Sequence, residues 1–237
     1  MDLSIVIPVF NEGRKIDKDI RMASQFLVMN NISGEIIISD DGSTDDTLNV
    51  PEKIFSKASV PVRIIDNKKH YGKGNAVRSG ILEAMGEMVF FIDSGACVSY
   101  EDILPGINLI KDGNSEIVHG SRFLPGSFIT RKKQWYRQVL SYLFRKFIHY
   151  CVKIPYDLTD TQCGLKVYKK DIGQELYRQC ITKGFMFDIE IILRAKKAGY
   201  TIHEFPITWT ADPDSRLSIT GIFFSMISEL KRIKNTM

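Results

Sequence analysis

Two adjacent carboxylates, Asp40 and Asp41, end an apolar stretch of the sequence and are followed by Gly42 and Ser43. Carboxylates at the end of a strand can accept hydrogen bonds from a base N–H or from ribose hydroxyls, and a glycine lets the chain turn close to a ligand. The same residue types also favour a plain turn followed by a helix cap. Taken alone, the motif supports a ligand contact and a structural turn equally.

A glycine-rich basic segment, NKKHYGKGNAVRSG, spans residues 67–80 and contains Lys73 and Arg78. A glycine-rich turn that opens a helix can face a diphosphate, and the two cations would add positive charge there. The segment is not a Walker loop, because no Ser or Thr follows the lysine in the required frame. An ordinary helix start is the alternative interpretation.

Asp93 follows another apolar run and precedes Ser94 and Gly95. A carboxylate at the end of a strand can bind Mg²⁺ or Mn²⁺ through oxygen, which hard cations prefer. The residue two positions after Asp93 is a glycine, so this motif has no second carboxylate. A turn residue without a metal is the alternative.

Arg122, Arg137 and Ser141 could bind phosphate oxygens through their guanidinium groups and a hydroxyl. Arg137 and Ser141 are four residues apart and therefore share one face of a helix predicted over 134–152. That helix mixes aromatic, aliphatic and basic residues. The mixture suits a membrane interface, and it equally suits a helix half-buried in the core. For the arginines, a basic surface is the alternative.

Two further candidates, Asp160 and Cys163, lie in the segment DTQCG. Cys163 could be a nucleophile, but no histidine lies near it in sequence, so a structural thiol is favoured. Asp188 and Glu190 point in different directions on a helix predicted over 187–198. They are not expected to form a catalytic pair.

The candidate residues depend on a regular alternation of strands and helices. Strands are predicted over 3–10, 35–39, 62–65 and 88–92, with helices over 14–30 and 74–85. This order predicts a mostly parallel sheet with helices on both faces. The polar residues follow the carboxyl ends of the strands, where open α/β sheets bind ligands. Later elements are predicted as strands over 116–119, 165–168 and within 200–209, and as a terminal amphipathic helix over 216–234.

The composition is that of a globular chain: 237 residues suit one α/β domain, with 44% apolar and 25% charged residues. Much of the net charge of +4 lies between Arg131 and Lys146, where it could meet nucleic acid, an anionic membrane or a phosphorylated substrate. Four separated cysteines without a CxxC pair argue against structural zinc and favour a reduced, cytosolic setting. The sequence contains no recognisable secretory signal and no apolar run of roughly 18 residues, so any membrane contact is expected to be peripheral.

Seven segments, in this order, resemble family 2 glycosyltransferases of the GT-A fold, and most closely the polyprenyl- or dolichyl-phosphate glycosyltransferases. They are SIVIPVFNEG, IIISDDGSTDDT, GKGNAVRSG, FFIDS, HGSRF, DTQCGLKVY and FMFDIEIILRAKKAGY. GKGNAVRSG and DTQCGLK look more like the dolichyl-phosphate glucosyltransferase branch than the mannosyl branch, which favours UDP-glucose over GDP-mannose. The resemblance implies a single Rossmann-like domain over 1–237, with a nucleotide-sugar half over 1–100 and an acceptor half over 101–237.

The resemblance also implies roles for the matching residues. On the donor side, the nucleoside pocket and the diphosphate are assigned to Pro8, Val9, Glu12, Asp40, Asp41, Lys73, Arg78, Asp93 and Arg216. On the acceptor side, the phosphate is assigned to Arg122, Arg137 and Ser141. Asp160 is expected at the reaction centre, and Asp93 is expected to support a metal-bound diphosphate.

One position departs from the family pattern, because Gly95 stands where the second acidic residue of Asp-x-Asp is expected. A Mg²⁺ or Mn²⁺ ion would lose an oxygen ligand there, and water would replace it. Three consequences are open: weaker metal binding, neutralisation of the diphosphate by Lys and Arg instead, or loss of activity.

The sequence thus predicts inverting transfer of a sugar from a nucleotide-sugar to a polyprenyl or dolichyl phosphate, at the cytoplasmic face of a membrane. A separate membrane subunit could serve as the anchor. The alternatives are transfer to a glycan or other hydroxyl acceptor, and a non-catalytic nucleotide-sugar binding module. Nucleic acid is not expected as a partner, because stacking and basic residues do not repeat along a groove-sized surface.

Overall fold

The centre of the structure is a seven-stranded sheet in the described part of the chain. The computed structural model describes residues 1–49, 59–131, 135–152, 154, 158–212 and 219–236. The first four strands are β1 (Leu3–Val9), β2 (Gly34–Asp40), β3 (Val62–Asp66) and β4 (Met88–Ile92). They are parallel and lie in the order β3-β2-β1-β4. Their carboxyl ends therefore meet at one edge of the sheet.

The other half of the sheet contains one strand that runs against its neighbours. β5 (Ile117–Ser121), β7 (Leu165–Lys169) and β8 (Ile202–Pro206) extend the order to β4-β7-β5-β8. β7 is antiparallel to β4 and to β5, and β8 is parallel to β5. Because β7 is reversed, the residues just before Leu165 lie beside the carboxyl end of β4. A separate parallel pair is formed by β6 (Phe128–Arg131) and β9 (Thr208–Thr210).

Helices cover both faces of the sheet. They are α1 (Ile16–Met29), α2 (Lys73–Leu82), α3 (Ile103–Lys111), α4 (Trp135–Val152), α5 (Lys170–Gln179), α6 (Phe187–Lys197) and α7 (Ile219–Thr236). Strand side chains alternate between faces, so Ile5 packs in the apolar cluster with α1 and α3, whereas Val6 packs with α2, α5 and α6. Both strand faces are thus buried, which explains the nearly continuous apolar runs. Each fully buried Ile or Phe contributes roughly 1.5–3 kcal/mol.

A third apolar cluster joins α4, α6 and α7 through Ile148, Ile189 and Ile233. Ile202 of β8 packs against this cluster, which thereby joins the three helices to the edge of the sheet. Within the described ranges, the helices are all too short or too polar to cross a bilayer.

The predicted mixed α/β sheet with helices on both faces is confirmed, and each predicted strand corresponds to an observed one. The strand predicted within 200–209 is divided into β8 and β9, because the chain leaves β5 after Pro206 and Thr208–Thr210 pair with β6 instead. The helices α3 and α5 are additional to those predicted. For the predicted terminal helix, residues 216–218 lie outside the described residues.

Candidate active site

The turn after β2 is held by its own two carboxylates. Asp40 Oδ2 accepts hydrogen bonds from the backbone amides of Gly42 and Ser43, both at 2.8 Å. Asp41 accepts from the amides of Tyr71 at 3.0 Å and Gly72 at 2.8 Å, and so links the turn to the start of α2. Gly42 has a φ of +77° and lies so close to Lys69 that a β-carbon would not fit. Asp40 Oδ1 is buried and has no hydrogen-bond partner among the described residues.

The rim beside this turn carries an aromatic pair. Pro8 and Val9 are buried at the end of β1, in register with Ser39 and Asp40 of β2. The next residue, Phe10, is exposed and stacks on His70, with ring centroids 4.0 Å apart. The rings of Phe10 and His70 therefore lie near the end of β2, which carries Asp40. The nucleoside was predicted to bind at this place.

Lys73 and Asp93 form the central ion pair of the crevice. Lys73 Nζ lies 2.6 Å from Asp93 Oδ1. It also lies between two aromatic rings, 5.9 Å from the centroid of Phe91 and 6.0 Å from that of Phe187. Burial alone would lower the pKa of Lys73, but the charges of Asp93 and Asp188 outweigh it and raise the pKa. The lysine is therefore a cation at the carboxyl end of β4. Arg78 is not part of this pair, because its Nε donates to the carbonyl of Tyr177 in α5 at 2.9 Å.

A second lysine, in the loop after β1, also forms ion pairs. Lys15 Nζ is 2.7 Å from Asp212 Oδ2 and 3.1 Å from Glu12 Oε2. Glu12 also donates its backbone N–H to Thr47 at 2.8 Å. The ion pairs join the loop after β1 to the segment after β9, across 197 residues of sequence.

The turn after β4 is shaped by Asp19, which projects from α1. Its carboxylate accepts from the hydroxyl of Ser94 at 2.6 Å and from the amides of Gly95 and Ala96 at 3.0 to 3.2 Å. Gly95 and Ala96 both have positive φ, at +97° and +52°. Burial raises the pKa of Asp19 despite these donors. These three donor groups hold the turn that follows Asp93 against α1.

In the second half of the chain, Asp160 is bound by Arg122 through two parallel bonds. Arg122 Nε donates to Asp160 Oδ2 at 2.6 Å and Nη2 donates to Oδ1 at 2.8 Å. Burial alone would raise the pKa of Asp160, but the charge and bonds of Arg122 outweigh it and lower the pKa. Glu204 in β8 in turn accepts from the amides of Thr159 and Asp160, both at 2.7 Å.

Cys163 lies behind this pair and is buried. Burial, followed by the charge of Asp160, raises the pKa of its thiol to about 12. A thiol with such a pKa is protonated near neutral pH and is a poor nucleophile. Nearby, Lys166 Nζ donates to Asp188 at 2.7 Å and to the carbonyl of Cys163 at 2.7 Å. Asp188 thus forms an ion pair with Lys166. Glu190 forms a different ion pair, with Arg194.

The remaining predicted residues are placed only in part. Ser141 is exposed on α4. Arg137 belongs to the same helix, but its side chain lies outside the described residues, and so does the whole of Arg216. On α4 the structure adds Arg145, whose Cζ lies 3.8 Å from the Phe123 ring centroid, beside Arg122 at 5.7 Å from the same ring.

Sequence reasoning missed several charged residues that support the site. Asp19 had a detectable signal, since it stands three residues after Ile16 and four before Ala23, on the apolar face of α1. Lys166 had one too, because it interrupts a buried strand. Glu204 and Asp212 gave no signal, since their partners are remote in sequence.

The oxygen donors at this edge fit a hard divalent cation only with help from a substrate. In the described residues, no group of three His, Cys, Asp or Glu side chains could hold a metal by itself. Asp93 offers a carboxylate that is partly exposed at the strand end. Mg²⁺ is often bound by one or two carboxylates together with substrate phosphates and water, and the site meets that condition.

Residues 4–176 match the sequence model of the family described as "Glycosyl transferase family 2". The chain is 30% identical over 243 residues to a dolichyl-phosphate beta-glucosyltransferase of Dictyostelium discoideum, covering 98% of this chain and 73% of that protein. It is 29% identical to the protein of the same name from Saccharomyces cerevisiae, covering 98% of this chain and 74% of that one. For the Homo sapiens protein of that name the identity is 28%, with coverages of 91% and 69%.

Solved structures of similar fold are also found. Glucosyl-3-phosphoglycerate synthase from Mycobacterium tuberculosis, in complex with Mn²⁺, uridine diphosphate and glucosyl-3-phosphoglycerate, superposes with a TM-score of 0.70 at 17% identity. The match covers 98% of this chain and 79% of that one. At this identity the likeness shows a shared fold and no more.

Proposed function

Since the chain belongs to glycosyl transferase family 2, we propose that it transfers glucose from UDP-glucose to a dolichyl or polyprenyl phosphate, with inversion at the anomeric carbon. The prediction of a family 2 glycosyltransferase of the GT-A fold is confirmed by the family match and by the fold of the solved relatives. Donor, acceptor and stereochemistry make up the proposal. Relatives named dolichyl-phosphate beta-glucosyltransferase support the acceptor and the sugar.

The observation that supports a phosphate acceptor most strongly is the pairing of Asp160 with Arg122. A hydroxyl acceptor needs a base to remove its proton, whereas a phosphate is already anionic near neutral pH. Asp160 has a lowered pKa because Arg122 binds both of its oxygens. Such a carboxylate is a weak proton acceptor. The site therefore favours a phosphate over the alternative hydroxyl acceptor.

Positive charge beside Asp160 supports the binding of that phosphate. Arg122 and Arg145 lie against the same ring, that of Phe123. Guanidinium groups bind phosphate oxygens in a planar fork. We assign the acceptor phosphate to Arg122 and Arg145, together with Arg137 and Ser141 of α4.

An exposed aromatic face supports a lipid-borne acceptor. The face consists of large apolar side chains that are all exposed: Phe123, Phe128, Trp135, Tyr136, Val139, Tyr142, Leu143 and Tyr150. Lys146 lies within 5.8 Å of the Tyr142 ring and adds a cation. Aromatic and basic residues on one helix face are typical of a segment that lies in the plane of a membrane interface. Peripheral contact at the cytoplasmic face is part of the proposal, with a membrane subunit as the alternative occupant.

On the donor side, the crevice at the ends of β1, β2 and β4 would hold the nucleotide-sugar. Asp40 Oδ1 is an acceptor at this strand end without a partner in the described residues, but Asp40 is fully buried, so the turn after β2 would have to move before a base N–H could bind there. Lys73 would face the diphosphate, and Asp93 would hold Mg²⁺ or Mn²⁺. That cation, when bound, would supply charge for the departing diphosphate. The protein's share is to align acceptor and donor in one displacement and to place the cation of Lys73 against the departing diphosphate.

A transfer assay tests the proposal. The purified protein is incubated with Mn²⁺, dolichyl phosphate in detergent, and UDP-glucose, GDP-mannose or dTDP-glucose in turn. We expect a β-linked glucosyl lipid from UDP-glucose, seen by mass spectrometry and by the anomeric proton coupling. A soluble sugar acceptor in place of the lipid should give no product. Transfer to the hydroxyl acceptor alone, or an α-linked product, would overturn the proposal.

Two matched variants examine the acceptor phosphate site. Arg145→Ala should raise the KM for dolichyl phosphate about tenfold and leave the KM for UDP-glucose unchanged. Arg21→Ala is the control, because Arg21 is exposed on α1 and pairs with Asp17 one helical turn away. Equal acceptor KM values in both variants would contradict the role of Arg145.

A further inference from the structure

Gly95 faces a carboxylate that comes from a distant part of the chain. A β-carbon built on Gly95 would lie 3.4 Å from Asp212 Oδ2 and 3.6 Å from Cδ of Lys15. The carboxylate of Asp212 therefore occupies the space toward which a side chain at position 95 would extend. Residue 95 has no acidic side chain, but the carboxylate of residue 212 lies beside it.

Backbone pairing holds Asp212 in this place. Val98 and Trp209 form an antiparallel bridge, and Thr210 N donates to Cys97 O at 2.9 Å. Ala211 N donates to Arg131 O at 3.2 Å. The segment that ends at Asp212 is thus attached to the turn that begins at Asp93. Its position follows from main-chain geometry, which does not depend on the side chains of the crevice.

The charges around the turn suit a cation. Burial, followed by the charges of Asp93, Asp212 and Asp19, raises the pKa of the Cys97 thiol to about 12, so these carboxylates lie close enough to act on one sulfur atom. Two of these three carboxylates are paired with lysines: Asp93 with Lys73, and Asp212 with Lys15. Lys15 is partly exposed and shares its ammonium group between Asp212 and Glu12.

We propose that Asp212 supplies the second carboxylate of a divalent-cation site with Asp93, in place of the acidic residue that Gly95 lacks, and that Lys15 holds Asp212 when no cation is bound. The proposal rests on the proposed function, since the donor diphosphate is expected to complete the coordination. One or two carboxylates with phosphate oxygens and water are a normal set of ligands for Mg²⁺. Lys15 would compete with the cation for Asp212.

Binding of Mn²⁺ is the test, measured by the loss of the free-ion signal in electron paramagnetic resonance with saturating UDP. Asp212→Asn should weaken Mn²⁺ binding at least about tenfold. Asp112→Asn is the matched control, because Asp112 is an exposed carboxylate at the end of α3. Lys15→Met should tighten Mn²⁺ binding, since it removes the competing cation, and the double variant should bind no better than Asp212→Asn.

The outcomes separate this proposal from the function itself. Equal Mn²⁺ affinity in Asp212→Asn and Asp112→Asn, with both variants folded by thermal melting, would overturn the role of Asp212. A Lys15→Met variant whose Mn²⁺ affinity falls would also overturn it, and this second variant keeps the test valid if Asp212→Asn unfolds. Failure of the proposed function would look different, because the unsubstituted protein would then bind Mn²⁺ and UDP without transferring glucose.

Discussion

The carboxylate of Asp93 lies directly against the Cα of Gly164, so that a β-carbon on residue 164 would overlap Asp93 Oδ2. Asp93 N also donates to Gly164 O at 3.0 Å. The contact arises because β7 runs antiparallel to β4 and brings residue 164 to the end of β4. A glycine at this place lets the carboxylate sit between the two strands.

Gly164→Ala should therefore displace Asp93 and break its pair with Lys73. A misplacement of about 1 Å at a reacting centre can lower the rate about a hundredfold, and we expect a fall in kcat of that order. Steady-state transfer assays measure it, with thermal melting to verify the fold. Asp93→Asn should give a loss of similar size. A Gly164→Ala variant with full activity would show that Asp93 does not need its present position.

Glu204 should act as a positioning residue for Asp160. Its carboxylate accepts two backbone amides and the hydroxyl of Thr159. Glu204→Gln replaces one acceptor oxygen by a donor that faces an N–H, at a cost of about 1–3 kcal/mol. We expect kcat to fall while the KM for UDP-glucose stays the same.

Glu116→Gln is the matched control for that variant. Glu116 also accepts a backbone amide, that of Thr201 at 3.1 Å, but on an exposed part of the surface. If both variants lose activity equally, Glu204 has no special role in placing Asp160. Loss of stability in Glu204→Gln without a change in kcat would have the same meaning.

Glu190 should make folding sensitive to acid. Burial alone would raise its pKa, but hydrogen bonds from Thr182, Ile181 and Arg194 outweigh burial and lower the pKa from its usual 4.5. A carboxyl group with a lowered folded pKa stabilises the fold above its unfolded pKa, and this contribution is lost as the pH falls through the folded value. The protein should therefore lose stability below about pH 4.5.

Glu190→Gln should show a flatter dependence of Tm on pH in that acidic range, although its Tm near neutral pH should be lower. Calorimetry at a series of pH values measures both. Glu83→Gln serves as control, because Glu83 is exposed. Parallel curves for the unsubstituted protein and Glu190→Gln would exclude Glu190 as a source of acid sensitivity.

The aromatic face should bind anionic vesicles. Trp135 and Tyr150 are 76% and 84% exposed, and burial of each large side chain in the interface contributes roughly 1.5–3 kcal/mol. Trp135→Ser should weaken sedimentation with phosphatidylglycerol vesicles about tenfold. Met29→Ser removes a side chain that is 68% exposed on α1 and should change nothing. An unsubstituted protein that stays in the supernatant would argue for a protein partner on this face.

The sequence by itself determined the parallel half of the sheet and the location of the crevice. Apolar runs such as Leu3–Val9 bury both faces of a strand, and the residues that end them, Asp40 and Asp93, must then meet at one edge. These features are local, since each depends on residues close together in the chain. Seven motifs in order were also enough to identify the family, which the family match confirms.

Only the tertiary structure decided which residues lie beside Asp93 and Gly95 at that edge. The reversed strand β7 places Gly164 against Asp93, and the bridge from Val98 to Trp209 places Asp212 in front of Gly95. These partners are 71 or more residues apart in the sequence, so no periodic pattern records them. An ion pair depends on distance in space, and that distance is fixed only when the strands have packed in their final order.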